Sequence, residues 1–515
     1  MKTLSRFVVK FTSLLVAVLS CFDRVIFKGY LPITNGPALE GFVDCVLKIR
    51  RKDFMPFAQE QSERLVAHGK RLAQEAGAEF QFLQGPHRKD KLVDDLLRKR
   101  PISEGLIAVL CCMECCPSFR LASGKDRPRL VNARRQQRVL YFYFLDPELG
   151  LIHIRLTTWF PFTAQVYVNG HSWLAQQLLK QRLGFNLQDN AFTALDDPEA
   201  AQKLADSFAG LNWTKILSRL VRQVNPLMNE RWFRGMSYYW VVDQAEFATD
   251  LIFANREALA DLYPRLLNHA AVNFSAKEIM SFLGRRFHPR FDGEVLTDCQ
   301  KGRWPGARIK HRMKNNWLKM YDKFGWVLRI ETVINNPREF RVRRLRTREG
   351  RREMVWCPMN KGVANLYQYR TVSLAANQRY LEALSVVDDP APAYRQVEEL
   401  TEPIVISGRS HAGFNPASKS DVKLFSAVLD GNHLVRGFRN ADIRVALYGS
   451  TEDKVDQRRQ SAAVGRMLKR LHARGLIARV PRTRRWLVNL KGQQVLGAVV
   501  QLYHYGIPAT AGQAA

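Results

Sequence analysis

The stretch from residue 421 to 490 constrains the fold more tightly than any other part of this sequence. Val422, Phe425, Val428 and Leu429 recur at helical spacing, so residues 421–429 are expected to form a helix with one apolar face. A second, shorter helix over 439–448 comes after Gly437-Phe438 and stops at Gly449. A third over 458–474 carries Val464, Leu468 and Leu471 as its buried stripe, and Gly475 stands where a helix turns left-handed to end. Two short β-forming runs, 476–480 and 486–490, flank the turn Pro481-Arg482-Thr483-Arg484-Arg485. The order is three helices and a β-hairpin, with cations gathered on the third helix and on the hairpin tip.

Those cations belong to a wider asymmetry. The 515-residue chain has 79 Lys and Arg against 48 Asp and Glu, a net charge of +31. Residues 303–355 hold sixteen cations and five acids, and residues 418–495 hold seventeen and six. These windows supply 22 of the 31 excess charges in about a quarter of the chain. A merely solvated surface would spread its charge, whereas a polyanion-binding surface concentrates it. Two nucleic-acid footprints are therefore expected, and an ordinary enzyme of small neutral metabolites is not. In the C-terminal stretch, Arg458, Arg459, Arg466, Lys469 and Arg470 can reach phosphates or guanine edges from a helix in the major groove. Arg482, Arg484 and Arg485 can lie along the backbone or in the minor groove.

The run Leu468, Leu471, Gly475-Leu476-Ile477, Arg479, Arg485-Trp486, Leu490 and Gly492 resembles a winged helix-turn-helix of the MarR-like bacterial regulators. That resemblance implies a duplex-DNA reader over residues 418–505.

The remaining chain reads as an α+β, multi-domain body. Residues 1–185 are expected to be an N-terminal α+β region containing an antiparallel meander. Strands are predicted over 139–145, 151–160 and 163–168, with a turn at Asp146-Pro147-Glu148-Leu149-Gly150 and another at Asn169-Gly170. The meander's aromatics, Tyr141 and Tyr143 among them, are either core or a base-stacking platform. Residues 118–138 are expected to be a loop or flexible hairpin. Residues 186–290 are expected to be mainly helical, including a helix over 245–255, and 291–385 a basic β-rich segment packing with the body. Residues 386–417, opening on Val387-Asp388-Asp389-Pro390-Ala391-Pro392, read as a linker.

Within the basic segment, two strands joined near Phe324-Gly325 would bring Tyr321, Asp322 and Glu331 together across a ladder. Carboxylates could hold Mg²⁺ or Mn²⁺ against a scissile phosphate, and the tyrosine hydroxyl could attack it. Lys319-Met320-Tyr321-Asp322-Lys323 followed by Leu328-Arg329-Ile330-Glu331 resembles a motif of replication initiators from rolling-circle plasmids and filamentous phages. The resemblance implies strand nicking, with Tyr321, Asp322 and Glu331 as catalytic residues. The chain has no His-hydrophobe-His metal motif and no Tyr-x-Gly-Ser segment. Asp322, Glu331, Asp243 and Asp250 are the expected metal ligands. Glu246, Glu294 and Asp298 are further candidates, and salt bridging to the surplus arginines is the alternative role for all of them. Lys310, Arg312 and Lys319 are the expected nucleic-acid contacts of this segment.

From Phe22-Asp23-Arg24 through Trp159-Phe160-Pro161-Phe162 and Val363-Ala364-Asn365-Leu366 to its end, the chain resembles a widespread bacterial family associated with multicopy, horizontally moving genes. The function expected on these grounds is a DNA-binding protein of a mobile element, with metal-dependent strand nicking or transfer left open. A non-enzymatic winged-helix transcriptional regulator and an RNA-binding protein are the alternatives.

Eight cysteines, four within Cys111-Cys112-Met113-Glu114-Cys115-Cys116, form no long-loop disulfide pattern and suit a reducing cytoplasm. Cys112 and Cys115 have half a zinc-site spacing, but no second pair accompanies them, so zinc is not expected. The apolar run 11–21 reads as an opening helix rather than a secretory signal, since Lys10 abuts it and no small-x-small site comes after it. No membrane partner is expected.

Overall fold

The computed structural model describes residues 5–505 except 86, 125–126, 289–290, 304–305, 349–350, 388–392, 407 and 434–436. The chain is a mixed α/β protein divided into two compact units, each assembled from separated segments. One comprises Ala17–Ile252 and Glu331–Leu374, the other Met1–Val16, Phe253–Ile330 and Ala375–Ala515. Among the described residues no helix is long and apolar enough to cross a membrane.

The first unit is built on a mostly antiparallel sheet. Its strands begin with β1 (Leu15–Tyr30), β2 (Glu79–Leu83), β3 (Gly105–Ala122), β4 (Arg129–Asp146), β5 (Gly150–Thr157) and β6 (Ala164–Asn169). A separate hairpin, β7 (Phe185–Gln188) and β8 (Ala191–Leu195), precedes β9 (Tyr239–Phe253). The meander β4-β5-β6 is antiparallel throughout, as its turn chemistry requires, and Asn169 caps the next helix, Gly170–Lys180. Phe22 and Phe27 pack on Phe208 and Trp213, beside the helices Pro198–Ser207 and Trp213–Val224.

Two expectations fail here for related reasons. The apolar run over 11–21 is not a helix. Arg6–Lys10 is α-helical, Thr12–Leu14 is a single 3-10 turn, and β1 starts at Leu15. Residues 245–255 are not a helix either, because β9 continues to Phe253. Both strands lie inside the sheet and are buried on both faces along much of their length. The period-two signal is then lost, and an apolar run can pass for a helix. Of the two alternatives for residues 118–138, the structure has the hairpin: β3 and β4 pair as far as Ala122 opposite Arg129. Basic residues on the exposed positions of β4 mask the buried Phe119 and Leu130.

The second unit contains the helix Arg256–Asn273 and an antiparallel set β10 (Val295–Arg303), β11 (Gly306–Met313) and β12 (Asn316–Lys323). His311, on β11, is fully buried between Thr297 and Tyr380, with Phe274 alongside. After the tight turn at Phe324 and Gly325, both at positive φ, comes β13 (Val327–Ile334). Its first four residues belong to this unit beside β12. Its last four belong to the first unit, where the strand order is β13-β9-β1-β6-β5-β4-β3-β2. From β1 through β6, β5 and β4 to β3 each strand runs antiparallel to its neighbour, and β2 is parallel to β3. The first unit then continues into an isolated two-stranded ribbon, β14 (Arg341–Arg348) and β15 (Arg351–Pro358).

The rest of the second unit differs from the expected linker. The Pro-rich start at 388–392 lies outside the described residues. Beyond it come the helix Ala393–Thr401 and a hairpin of β16 (Ile404–Ile406) and β17 (Arg409–His411). Leu400 and Phe414 are buried in the same apolar core as Phe425, Val464 and Leu468, so polar and Pro-rich ends conceal a folded segment. Next are three helices, Lys419–Val428, Asn440–Tyr448 and Lys454–Ala473, then β18 (Ile477–Arg479) and β19 (Trp486–Val488). The chain just before the second of these helices joins the hairpin, as Phe438 and Trp486 exchange both backbone hydrogen bonds at 2.8 Å. Gly437 permits that approach: it sits at φ +65°, and a Cβ there would lie 2.2 Å from the Trp486 carbonyl oxygen. A last helix, Leu490–Tyr505, brings Val495, Leu496 and Val499 into the core.

Candidate functional site

Two features of the molecule carry chemistry, and they lie in different units. In the first unit, neighbouring strands bring three acids together: Asp23 on β1, Glu246 on β9 and Glu331 on β13. One oxygen from each lies within 4.8 Å of the others, and all three residues are buried. An acid inside a sheet costs several kcal/mol unless its charge is answered, so three together demand positive charge or tight hydrogen bonding. Arg24 supplies part of it, with Nε 3.9 Å from Glu246. Burial opposes the Arg24 charge, yet Glu246, Tyr167, Asp23 and Glu331 raise its guanidinium above the ordinary value.

A supporting layer holds Asp23. Asn190 Nδ2 donates to Asp23 Oδ1 at 2.6 Å. His171, on the helix after β6, places Nδ1 3.0 Å from Asp23 and Nε2 3.2 Å from Asp250. His171 and Asp250 have almost no exposed surface, and the Cys21 thiol lies 3.3 Å from His171 Nε2. A histidine fixed between two carboxylates orients both of them. The donor set of the three acids is all carboxylate oxygen, which suits Mg²⁺ or Mn²⁺ and does not suit zinc.

The expected ligands are only partly the observed ones. Glu331 is in the cluster. Asp250 reaches it through His171. Asp243 instead accepts from Gln165 at 3.4 Å and lies 4.0 Å from Lys361. Asp322 is committed to its own turn, accepting the Gly325 N–H at 2.8 Å. Burial pushes its pKa up to about 6, against the lowering effects of that N–H and Arg256. Tyr321 is half-buried on β12. Glu294 pairs with Arg312, and Asp298 accepts from Gln300. Asp23 is not among the expected ligands. The signal that could have found it is an acid in the middle of an otherwise apolar strand, a placement that proteins avoid without a reason.

The second feature is the C-terminal module. Arg458, Arg459, Arg466 and Lys469 are exposed along one side of the helix Lys454–Ala473, opposite buried Val464, Leu468 and Leu471. Arg459 also meets Asp456 at 2.9 Å, one turn away. Arg482 and Arg484 are exposed at the hairpin tip. Two other arginines have structural positions. Arg470 donates to the carbonyls of Ala412 and Gly413 and covers the Phe414 ring at 3.9 Å. Arg485 donates to the Gly437 carbonyl at 2.8 Å, holding the hairpin to the chain before the second helix.

In the same unit, Lys310 and Lys319 face each other across β11 and β12, with Trp317 between them: Lys310 Nζ is 3.8 Å and Lys319 Nζ 5.8 Å from its ring centre. Burial, then Lys319 and Arg308, lower the Lys310 pKa, as crowded cations should. Arg312 is exposed and reaches Glu294 at 3.1 Å.

Other sequence signals resolve structurally. Phe142, Trp159, Phe160 and Phe162 are core. Tyr141, His153 and Tyr167 form a half-buried row, and His153 stacks on Tyr167 at 4.7 Å. Burial, then Arg24 and Lys89, push the His153 pKa down to about 4. Cys112 and Cys115 lie three apart on β3, one buried and one exposed. Their thiols therefore leave opposite faces and do not converge. Burial and Glu114 push the Cys112 thiol up to about 12.

In comparison with known proteins, the chain matches no family model, no curated protein and no solved structure.

Proposed function

We propose that this chain is a DNA-binding protein of a mobile genetic element and engages duplex DNA through its C-terminal module as a winged helix. The observation that carries the reading is the exposed row Arg458, Arg459, Arg466 and Lys469, beside a hairpin tip bearing Arg482 and Arg484. A helix of this width fits the major groove, and a basic hairpin next to it can run along the backbone. Lys310, Lys319 and Arg312 support a further contact with nucleic acid. The mobile-element assignment rests on the resemblance of the chain to that bacterial family.

A second reading, metal-dependent strand cleavage, is favoured by one observation: the convergence of Asp23, Glu246 and Glu331. A divalent cation held there would act as a Lewis acid toward a phosphate. The residues that would hold it are those three, with Asn190 and His171 fixing the orientation of Asp23. Asp322 and Asp243 leave this reading as ligands, and Tyr321, on β12 of the other unit, is given no role in it.

One experiment tests both readings. The full chain is incubated with labelled single-stranded, duplex and hairpin DNA, and with RNA hairpins, in Mg²⁺ or Mn²⁺. Binding is monitored by polarisation and cleavage on a denaturing gel. Duplex binding with metal-dependent cuts or adducts supports both readings. Duplex binding with intact DNA leaves a regulator. Preference for RNA at equal salt overturns the duplex assignment.

A further inference from the structure

The ribbon β14–β15 is a two-stranded sheet on its own, rooted in the first unit by buried Phe340, Val342, Cys357 and Met359. The Met359 N–H closes its base by donating to the Phe340 carbonyl at 2.9 Å. Away from the root, one face is uncovered. Arg341 pairs with Pro358, Arg343 with Trp356, Leu345 with Met354, and Thr347 with Arg352, and all eight residues are exposed. Leu345, Met354 and Trp356 expose 57%, 52% and 54% of their surface. Apolar side chains this large, placed in a row and flanked by arginine, mark an interaction surface. Between residues 341 and 353 the sequence has seven arginines and two glutamates, so the partner must be strongly anionic.

We infer that this ribbon is a second duplex-DNA contact, lying in the major groove with its Arg343–Trp356 face toward the base edges. The inference rests on the proposed DNA-binding function and adds a contact distant in sequence from the winged helix. The major groove, roughly 12 Å wide, admits a two-stranded ribbon. Eight paired residues at about 3.4 Å each give a length of roughly 27 Å, or about eight base pairs. Arg341 donates to the Trp356 carbonyl at 3.0 Å and braces the ribbon, Arg343 and Arg352 match phosphates and guanine edges, and Leu345, Met354 and Trp356 match thymine methyl groups. Duplex RNA does not offer this site, because its major groove is too deep and narrow for side chains to read.

The test uses the full chain and a labelled mixed-sequence duplex, with affinity measured across a salt series. The Arg343→Ala/Arg352→Ala variant should lower the log–log salt slope by about 1.8, the value for two phosphate contacts. Trp356→Ala should weaken binding with the slope unchanged. Both should lose protection of guanine N7 over a segment of about eight base pairs that the hairpin variant Arg482→Ala/Arg484→Ala retains. The ribbon proposal is overturned, and the winged-helix reading kept, if only the hairpin variant alters slope and protection. A wild-type chain that fails to bind the duplex overturns both. Duplex RNA or anionic vesicles bound as tightly, with the same loss in the ribbon variants, would overturn the assignment to duplex DNA.

Discussion

The C-terminal module and the carboxylate cluster handle charge in opposite ways. In the module, the exposed cations stand opposite helix faces that are mainly apolar, so the fold and the proposed DNA contact use different residues. In the cluster, Asp23, Glu246 and Glu331 occupy positions inside the sheet that apolar residues would fill more favourably. An exposed charge costs the fold little and can be replaced nearly freely. A buried acid must be answered by a partner, and it limits stability when that partner is missing. The DNA contact proposed for the module is therefore separable from its stability, whereas the metal binding proposed for the cluster is not.

The largest effect should come from attacking the module's scaffold rather than its charges. Leu468→Ala removes a fully packed side chain from that core and should cost about 2–5 kcal/mol in urea unfolding. Arg466→Ala, two residues away and exposed, should change stability by no more than about 0.5 kcal/mol. Equal losses from the two would break the separation of folding from binding.

The cluster should show the reverse coupling. With Mn²⁺ at a hundredfold excess over its dissociation constant, a metal-binding chain gains about 2.7 kcal/mol of stability. Glu246→Gln should abolish that gain while leaving the metal-free protein as stable as wild type or more so, because one of three crowded negative charges is gone. Thermal melts with and without Mn²⁺ read both effects. A Gln variant that melts lower and still responds to Mn²⁺ would make the cluster a structural ion-pair network around Arg24.

At the hairpin tip the effect is smaller. Arg482→Ala with Arg484→Ala should reduce the salt slope of duplex binding by about 1.8 with no change in melting temperature. Arg485→Ala should differ: its bond to the Gly437 carbonyl means that it loosens the hairpin as well. An unchanged slope in the double variant would argue against the tip touching phosphate.

The same contrast explains what can be read from the sequence. The helix Trp213–Val224 and the three C-terminal helices are local: apolar stripe and exposed charges lie within one stretch, so periodicity finds them. The cluster joins residues 23, 246 and 331, and no local pattern connects them. Strand burial obscures it further. Glu246 and Asp250, four apart, look like one face of a helix, and β9 puts them on the same strand instead. Proximity in sequence favours Asp322 and Asp243, yet the first is committed to its own turn and the second to Gln165 and Lys361. Glu331 is legible because its motif is local. Asp23 is not, because the acids that meet it come from more than two hundred residues along the chain.

Asp322 falls between the two regimes: half-buried, tied to one N–H, and with a pKa of about 6. An unfolded aspartate ionises near 3.9. Between pH 4 and 6 the folded chain therefore retains a proton that the unfolded chain has released, and stability falls as pH rises through that window, then levels off. Buried His269, with its pKa pushed down to about 4, acts oppositely, adding stability as pH rises toward 6.5. The wild-type curve alone is thus a sum of opposing slopes, and the difference from Asp322→Asn isolates the aspartate. Asparagine can still accept the Gly325 N–H but carries no charge, so the variant should gain on wild type from pH 4 to 6 and hold a constant advantage above. Urea midpoints across that range measure it. A difference that shrinks as pH rises would mean that Asp322 is stabilised as an anion by the Gly325 N–H and Arg256.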